Sequence, residues 1–421
     1  MGRVVKMRKK KLKISIFHCG FVYSGGGERV VLEEAMGLKK RGFQVEVVVP
    51  TIDKKLCYPD ILNKINALMF LPSFIDWLPL RDALRMVGSS ILAPILALNF
   101  KDTDVFIGAN QPGAWIAFCM AKVLKKPYLV YLNQPNRLVY PRKIDRYTGW
   151  QTRKDYYFLA VIIKFMKPFI SWVDKISIKS AKAILVNGDY IGKWIKKVYK
   201  RPVVIAPAGA ICQPREKLLL KESSAYKGTI RINGFVVQKP YLLLTNRHEP
   251  QKRFEYVIKA LKLVLKDYPE TCLVISGASS PYTPKLKKLA KKLGVENQII
   301  WIGQVSEKEL RKLYQNCAVY CYPAPEEDFG LGPLEAGGFG VPSVAWNHAG
   351  PTVTILDDVT GYLANPYEVK DFAQKIGLLL NNPQKRVKMG KAAWKRTRDC
   401  FSWDQHIDVL EREIRRLMCN D

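Results

Sequence analysis

The chain is short of acid. Its 421 residues carry 68 lysines and arginines against 37 aspartates and glutamates, a formal net charge of +31. Such a surplus draws a protein to polyanions: nucleic acid, anionic lipid or phosphorylated substrates. RNA-module signatures and zinc-finger spacings are missing, which places membrane ahead of nucleic acid. No charge-free run reaches transmembrane length, which excludes an ordinary spanning helix. The nine cysteines show no pairing rhythm; Cys317 and Cys321 sit close together in a strand-like run without a second pair. That usage fits reduced thiols in a cytoplasm rather than a disulfide framework. Neither Gly-x-Gly-x-x-Gly nor a Gly-Lys-Ser/Thr phosphate loop occurs. "DTD" (102–104) has the look of a metal-binding pair, but Asp104 is expected only to begin a strand, and no metal site is assigned.

What is present reads as two α/β domains. Short apolar runs, "KISIFHC" (13–19), "FQVEVVVP", "DVFIGA" (104–109), "YLVYL" (128–132), "AILVN" (183–187) and "VVIAP" (203–207), alternate with helix-length segments. A second series follows: "YLLLT" (241–245), "CLVIS" (272–276), "QIIWIG" (298–303), "AVYCYP" (318–323) and "PSVAW" (342–346). Alternation of this kind implies parallel sheets covered by helices on both faces. The expected division is a first domain over 1–207, an irregular linker over 208–240, a second domain over 241–400 and a terminal helix over 401–421. Doubly wound sheets bind ligands at the carboxyl ends of their strands, so the cleft between two such domains is the expected site. Two segments, "MVGSSILAPILALNF" (86–100) and "YYFLAVIIKFMKPFISWVDK" (156–175), mix apolar residues, aromatics and lysines in a way that suits the surface of an anionic membrane.

The stretch "EEDFGLGPLEAGGFG" (326–340) gathers carboxylates in a chain that has few. It follows a strand and opens a helix, with Pro333 in the first turn, where its missing N–H costs nothing. The free amides of that helix start, beside Gly330 and Gly332, suit a phosphate or a polar ring. Glu327 and Glu335 would repel phosphate and are matched instead to paired hydroxyls, as on a ribose or sugar ring. Cations for a diphosphate come from "TNRHEPQKRF" (245–254), where Arg247 and Lys252 converge across a short turn. In the first domain Gly25, Gly26 and Gly27 open a helix after the first strand, a second anion-ready start. His18 and His348 are further candidates for polar contacts in the cleft.

Taken together, "GGGERVV", "NRHEPQKR", "EDFGLGPLE", "GVPSVAWNHAGP" and "VTGYLANP" resemble the retaining glycosyltransferases of family 4, and the resemblance spans nearly the whole chain. It implies the GT-B architecture, two Rossmann-like domains facing across a cleft, and transfer of a sugar from a nucleotide diphosphate sugar. Arg247 and Lys252 inherit the donor diphosphate, Glu327 the donor sugar and Glu335 the ribose. Backbone amides at Phe329, Gly330 and Leu331 hold sugar or phosphate, and the Gly25–Gly27 loop closes over the phosphates. Arg247, Lys252 and Glu327 carry the catalytic assignment. Asn133, in "YLNQPNR", stands where many members have a histidine; it can bond a sugar but takes no proton. "PAGAI" (207–211) replaces the usual Asn-Gly-Val-Asp and loses both polar side chains.

The expected activity is metal-independent transfer of a sugar, with mannose preferred, from GDP-mannose or a UDP-sugar to a glycan or lipid-linked acceptor. The expected setting is peripheral, on the inner face of the membrane, with no nucleic-acid partner. A degenerate transferase acting as a nucleotide-sugar-binding or scaffold subunit is the alternative.

Overall fold

Runs rich in valine, isoleucine and leucine make strands that are buried on both faces, and they assemble into two parallel sheets. The computed structural model describes residues 11–69, 71–77, 81–148, 157–219 and 228–419. The first sheet contains β1 (Lys13–Phe17), β2 (Gln44–Val49), β3 (Ala67–Met69), β4 (Val105–Ala109), β5 (Tyr128–Leu132), β6 (Ala183–Val186) and β7 (Val204–Ile205), in the order β3-β2-β1-β4-β5-β6-β7. A hairpin, β8 (Gly228–Ile232) and β9 (Phe235–Lys239), precedes the second sheet. That sheet holds β10 (Tyr241–Thr245), β11 (Cys272–Ser276), β12 (Ile299–Gly303), β13 (Val319–Tyr322), β14 (Ser343–Trp346) and β15 (Gly361–Ala364), in the order β12-β11-β10-β13-β14-β15. Each sheet reverses direction of growth once, between β1 and β4 and between β10 and β13. Ligands in open α/β sheets bind at such reversals.

The hairpin corrects one expectation. Residues 228–239 are not irregular linker: Ile230, Ile232 and Val237 are buried in the core of the second domain. The terminal helix, Trp403–Cys419, returns to the first domain. Its Ile407, Leu410 and Ile414 join the core built on β1 and the helix Gly26–Lys40. His406 Nδ1 donates to the Pro207 carbonyl at 3.0 Å while Nε2 lies 3.2 Å from Glu34 Oε1. "PAGAI" is the seat of this return, with Ala210 N–H donating to the Phe401 carbonyl at 2.9 Å. Asp104 immediately precedes β4 rather than beginning it, and its carboxylate accepts from the Lys13 amide at 2.8 Å.

The helices Arg81–Leu96 and Tyr157–Lys179 both pack against Asn110–Leu124. From that helix Trp115 donates to the Ser90 carbonyl at 2.9 Å and meets the Trp172 ring. Their outer faces stay apolar and open: Val87, Ile91, Ile95, Phe165, Phe169 and Trp172 are all exposed, Phe165 by 81%. Among the described residues no helix is long and apolar enough to cross a membrane. Tyr156, at the start of the aromatic-lysine segment, lies outside the described residues.

Candidate functional site

Both reversal points open onto one interdomain cleft with a volume of about 410 Å³. Gly25, Gly26 and Gly27 reach it from the loop after β1, and Asn133 from the end of β5. Arg247 and Lys252 enter after β10, and Glu327, Phe329, Gly330, Leu331 and Glu335 after β13. Every residue expected to handle the donor therefore lines the same cavity. His18 lines it as well. His348, in the loop after β14, is not among its lining residues.

The acidic loop is held by its neighbours. The Gly350 amide donates to the Glu327 carbonyl at 2.7 Å, and the Phe329 ring packs edge-on against Phe401. Gly330 then caps the helix Leu331–Gly338 at φ 91°, a left-handed conformation that favours glycine. The first amides of that helix have no intrahelical acceptors and lie in the cleft wall. A Cβ on Gly26 would stand 2.9 Å from the Leu331 side chain, so the two helix starts, one from each domain, touch.

The cleft pairs its charges within and between its two walls. Lys252 Nζ donates to Glu327 Oε2 at 2.8 Å. Burial alone would raise the Glu327 carboxyl, but Lys252 and Arg142 outweigh it and pull it down to about 2. Glu327 is therefore a carboxylate at any physiological pH. Glu335 behaves differently: burial, with Glu307 nearby, pushes it up to about 7 against the pull of Arg29. It accepts from the Tyr314 hydroxyl at 2.9 Å. The sequence reading treats both glutamates as plain acceptors; burial favours the protonated form of Glu335, which also offers a donor.

Several residues escaped the sequence reading. The Arg247 guanidinium stacks 3.7 Å from the centroid of the Tyr23 ring, which belongs to the other domain. Glu28, in the first turn of Gly26–Lys40, lies beside Tyr23 and Arg247 and is raised to about 7 by burial. Asp328 forms an ion pair with Arg137, and Arg142 donates to the Glu326 carbonyl at 3.3 Å while the Ile144 amide donates to the Glu326 carboxylate at 3.1 Å. Arg29 reaches Glu307 at 2.8 Å. All these pairs join the two domains. The only local signal for them was the Arg of "QPNR" and the Glu of "GGGER".

His18, Cys19 and Glu28 bring three metal-capable atoms within 4.8 Å of one another, the one such group among the described residues. Hydrogen bonds already use part of this set. His18 Nδ1–H donates to the Ala109 carbonyl at 3.2 Å, so its Nε2 accepts from the Cys19 thiol at 3.4 Å. Burial keeps that imidazole neutral, at about 4, and holds the thiol protonated by raising it to about 12. A metal would have to displace that proton first.

Residues 228–396 match the sequence pattern of the family described as glycosyl transferases group 1, and residues 24–211 match that of glycosyltransferase family 4. Among characterised proteins, the chain is similar to alpha-1,3/1,6-mannosyltransferase ALG2 of Mus musculus. The two are 25% identical over 419 residues, which covers 94% of each chain. The protein of the same name from Dictyostelium discoideum is 26% identical over 446 residues, covering 97% of this chain and 99% of that protein. Among solved structures, sucrose-phosphate synthase from Thermosynechococcus elongatus superposes with a TM-score of 0.73 at 16% identity, covering 98% of this chain and 100% of that one. Anabaena HepE, solved with UDP and glucose, superposes with a TM-score of 0.68 at 16% identity, covering 96% and 99%.

Proposed function

The chain belongs to the group 1 glycosyltransferases of the GT-B fold, and on that premise we propose that it moves a mannosyl group from GDP-mannose to a lipid-linked glycan with retention of configuration. The observation that carries this reading is the meeting, in one interdomain cleft, of Arg247, Lys252, two helix starts and the Glu327 carboxylate. The choice of mannose rests on the mannosyltransferases similar to it over 94–97% of its length, and that of a lipid-linked acceptor on the open apolar helices of the first domain.

The chemistry follows from the charges. The bond from the sugar's anomeric carbon to the diphosphate breaks, and negative charge gathers on the departing phosphate oxygens. Arg247, Lys252 and the amides at the two helix starts are placed to stabilise that charge, the largest single task in such a reaction. The acceptor hydroxyl attacks from the same face, and its proton passes to a departing phosphate oxygen. No residue of the chain then needs to become covalently attached. Tyr23 holds the Arg247 guanidinium flat, which fixes the direction of its N–H groups. Glu327, fully ionised, accepts from hydroxyls of the transferred sugar. Glu335 faces the ribose, where a carboxyl whose protonated form burial favours can both give and take hydrogen bonds. Positive side chains and helix starts supply the charge that a metal would bring in other transferases, so the reading is metal-independent.

The open apolar face on Arg81–Leu96 and Tyr157–Lys179, with Lys164, Lys167, Lys175 and Lys179 on the second helix, supports peripheral contact with an anionic membrane. Nine free thiols support a cytoplasmic setting, which would put the contact on the inner face.

Incubation with GDP- and UDP-sugars, with release of the free nucleotide as the readout, tests the reading. Turnover of GDP-mannose above all UDP-sugars is expected. Turnover of a UDP-sugar alone would overturn the donor assignment, and binding without any turnover would favour a scaffold.

A further inference from the structure

Three asparagines stand at the carboxyl ends of three adjacent strands: Asn110 after β4, Asn133 after β5 and Asn187 after β6. All three line the cleft. Asn110, at φ 57°, turns its side chain so that Oδ1 accepts from the Asn133 amide at 2.9 Å. Asn187 Nδ2 donates to Asn133 Oδ1 at 3.2 Å. Each of the last two side chains is left with one free half. Asn133 Nδ2 and Asn187 Oδ1 are both buried, and neither has a hydrogen-bond partner among the described residues. Asn187 as a whole is only 4% exposed. A buried polar atom without a partner costs about 1–3 kcal/mol, so a folded protein keeps a pair of them only where something else completes the set.

The two free halves define what completes them. One is a donor and the other an acceptor. A phosphate oxygen would satisfy the donor and be repelled by the acceptor, and an ammonium would do the reverse. A hydroxyl does both at once, accepting from Asn133 Nδ2 and donating to Asn187 Oδ1. The surroundings are neutral and close: a Cβ on Gly27 would lie 3.6 Å from Asn133 Nδ2, and a Cβ on Gly188 would lie 3.1 Å from the Phe329 ring of the donor loop. Gly188, next to Asn187 in the chain, thus abuts the loop that carries Glu327.

We infer that Asn187, with Asn133 and the Asn110 that positions it, forms an amide cradle that selects one hydroxyl of a sugar substrate. The inference rests on the glycosyltransferase reading above and adds to it a determinant of which sugar is accepted. A site built to hydrogen-bond a hydroxyl rejects the analogue that lacks it far more strongly than an apolar pocket rejects a missing methylene.

The test compares the wild type with Asn187→Ala on GDP-mannose, on its monodeoxy analogues, and on an alkyl-linked mannoside acceptor and its monodeoxy forms. With intact substrates Asn187→Ala should lower kcat/KM by about tenfold or more, while the Kd for GDP alone stays within about twofold. One deoxy substrate should erase the difference between the two proteins. If that substrate is a donor, the cradle holds the transferred sugar; if it is an acceptor, the cradle holds the acceptor glycan. A difference that persists unchanged through every deoxy substrate, as a cradle holding only water would give, overturns the inference; so does an equal loss of GDP affinity. Should the alanine variant lose its thermal unfolding transition, Asn187→Leu, close to asparagine in shape but without its acceptor, answers the same question. Wild-type protein that turns over no nucleotide sugar sinks the parent reading and the cradle with it; turnover without the deoxy effect sinks the cradle alone.

Discussion

Replacing Glu327 by glutamine separates sugar recognition from diphosphate recognition. Glutamine keeps the shape of the side chain and removes the charge that Lys252 and Arg142 stabilise. Moving a carboxyl from 4.5 to about 2 corresponds to about 3 kcal/mol. The Glu327 side chain is 18% exposed toward the cleft, and screening there trims the stabilisation to about 1–2 kcal/mol. The expected cost in Tm is accordingly about 5 °C or less. The sign is fixed by the direction of the shift. A depressed carboxyl stabilises the fold above pH 4.5 and loses that contribution as pH falls toward 2. The variant should lack that part of the acid transition. Function should split more sharply. Lys252 is released from its ion pair and Arg247 is untouched, so GDP binding measured by calorimetry should stay within about threefold of wild type. Transfer should fall about a hundredfold, because the lost carboxylate no longer orients the reacting sugar. Arg247→Ala should do the reverse first, weakening GDP by about ten- to a hundredfold as a charge-assisted bond worth about 1.5–3 kcal/mol disappears. Equal losses of GDP affinity in the two variants would refute the division of labour.

Glu28 and Glu335, both held at about 7, should make GDP affinity fall as pH rises from 6 to 8, because each adds negative charge to the cleft. Glu28→Gln should flatten part of that slope in calorimetric titrations, and an unchanged slope would remove Glu28 from the explanation. The same raised carboxyls favour the folded state at low pH, an advantage that fades between pH 4.5 and 7, and Glu28→Gln should lessen this fade in thermal melts. Asp328→Asn breaks the interdomain pair with Arg137 and should enlarge the radius of gyration in small-angle scattering; an unaltered scattering curve would show that the remaining cross-domain bonds suffice. Changing Lys164, Lys167 and Lys175 to glutamine should weaken co-sedimentation with phosphatidylserine vesicles by about fivefold per charge, at about 1 kcal/mol each. Undiminished sedimentation would refute docking through that face.

The strands and the residues that line the cleft were legible because their signals are local. Buried parallel strands announce themselves as unbroken β-branched runs, and Arg247, Lys252, Glu327 and Glu335 sit in short motifs at the ends of such runs. The hairpin was legible too, although the sequence reading passed over it. "RINGFVV" carries Asn233-Gly234, and both residues have positive φ, 48° and 81°, as a tight type I′ turn requires. The Arg137–Asp328 pair had no such signal. Its members are 191 residues apart, and no periodicity links them. Nor does sequence carry the protonation of Glu335. Its spacing from Glu327 suggests a matched pair of carboxylates, yet one is pinned low by two cations and the other is lifted by burial. That asymmetry exists only once the domains close around them.

The acids at 326–328 therefore do three different jobs from three consecutive residues. Glu327 meets Lys252 within its own domain, whereas Glu326 and Asp328 on either side of it bind Arg142, the Ile144 amide and Arg137 of the other. One short loop therefore carries both an ion pair inside its domain and the contacts that tie it to the other domain. On the proposed reading, a donor diphosphate would compete with Glu327 for Lys252. A net charge of +31 favours anionic ligands in general, and within the cleft this small cluster of negative charge holds Lys252, Arg137 and Arg142 in place.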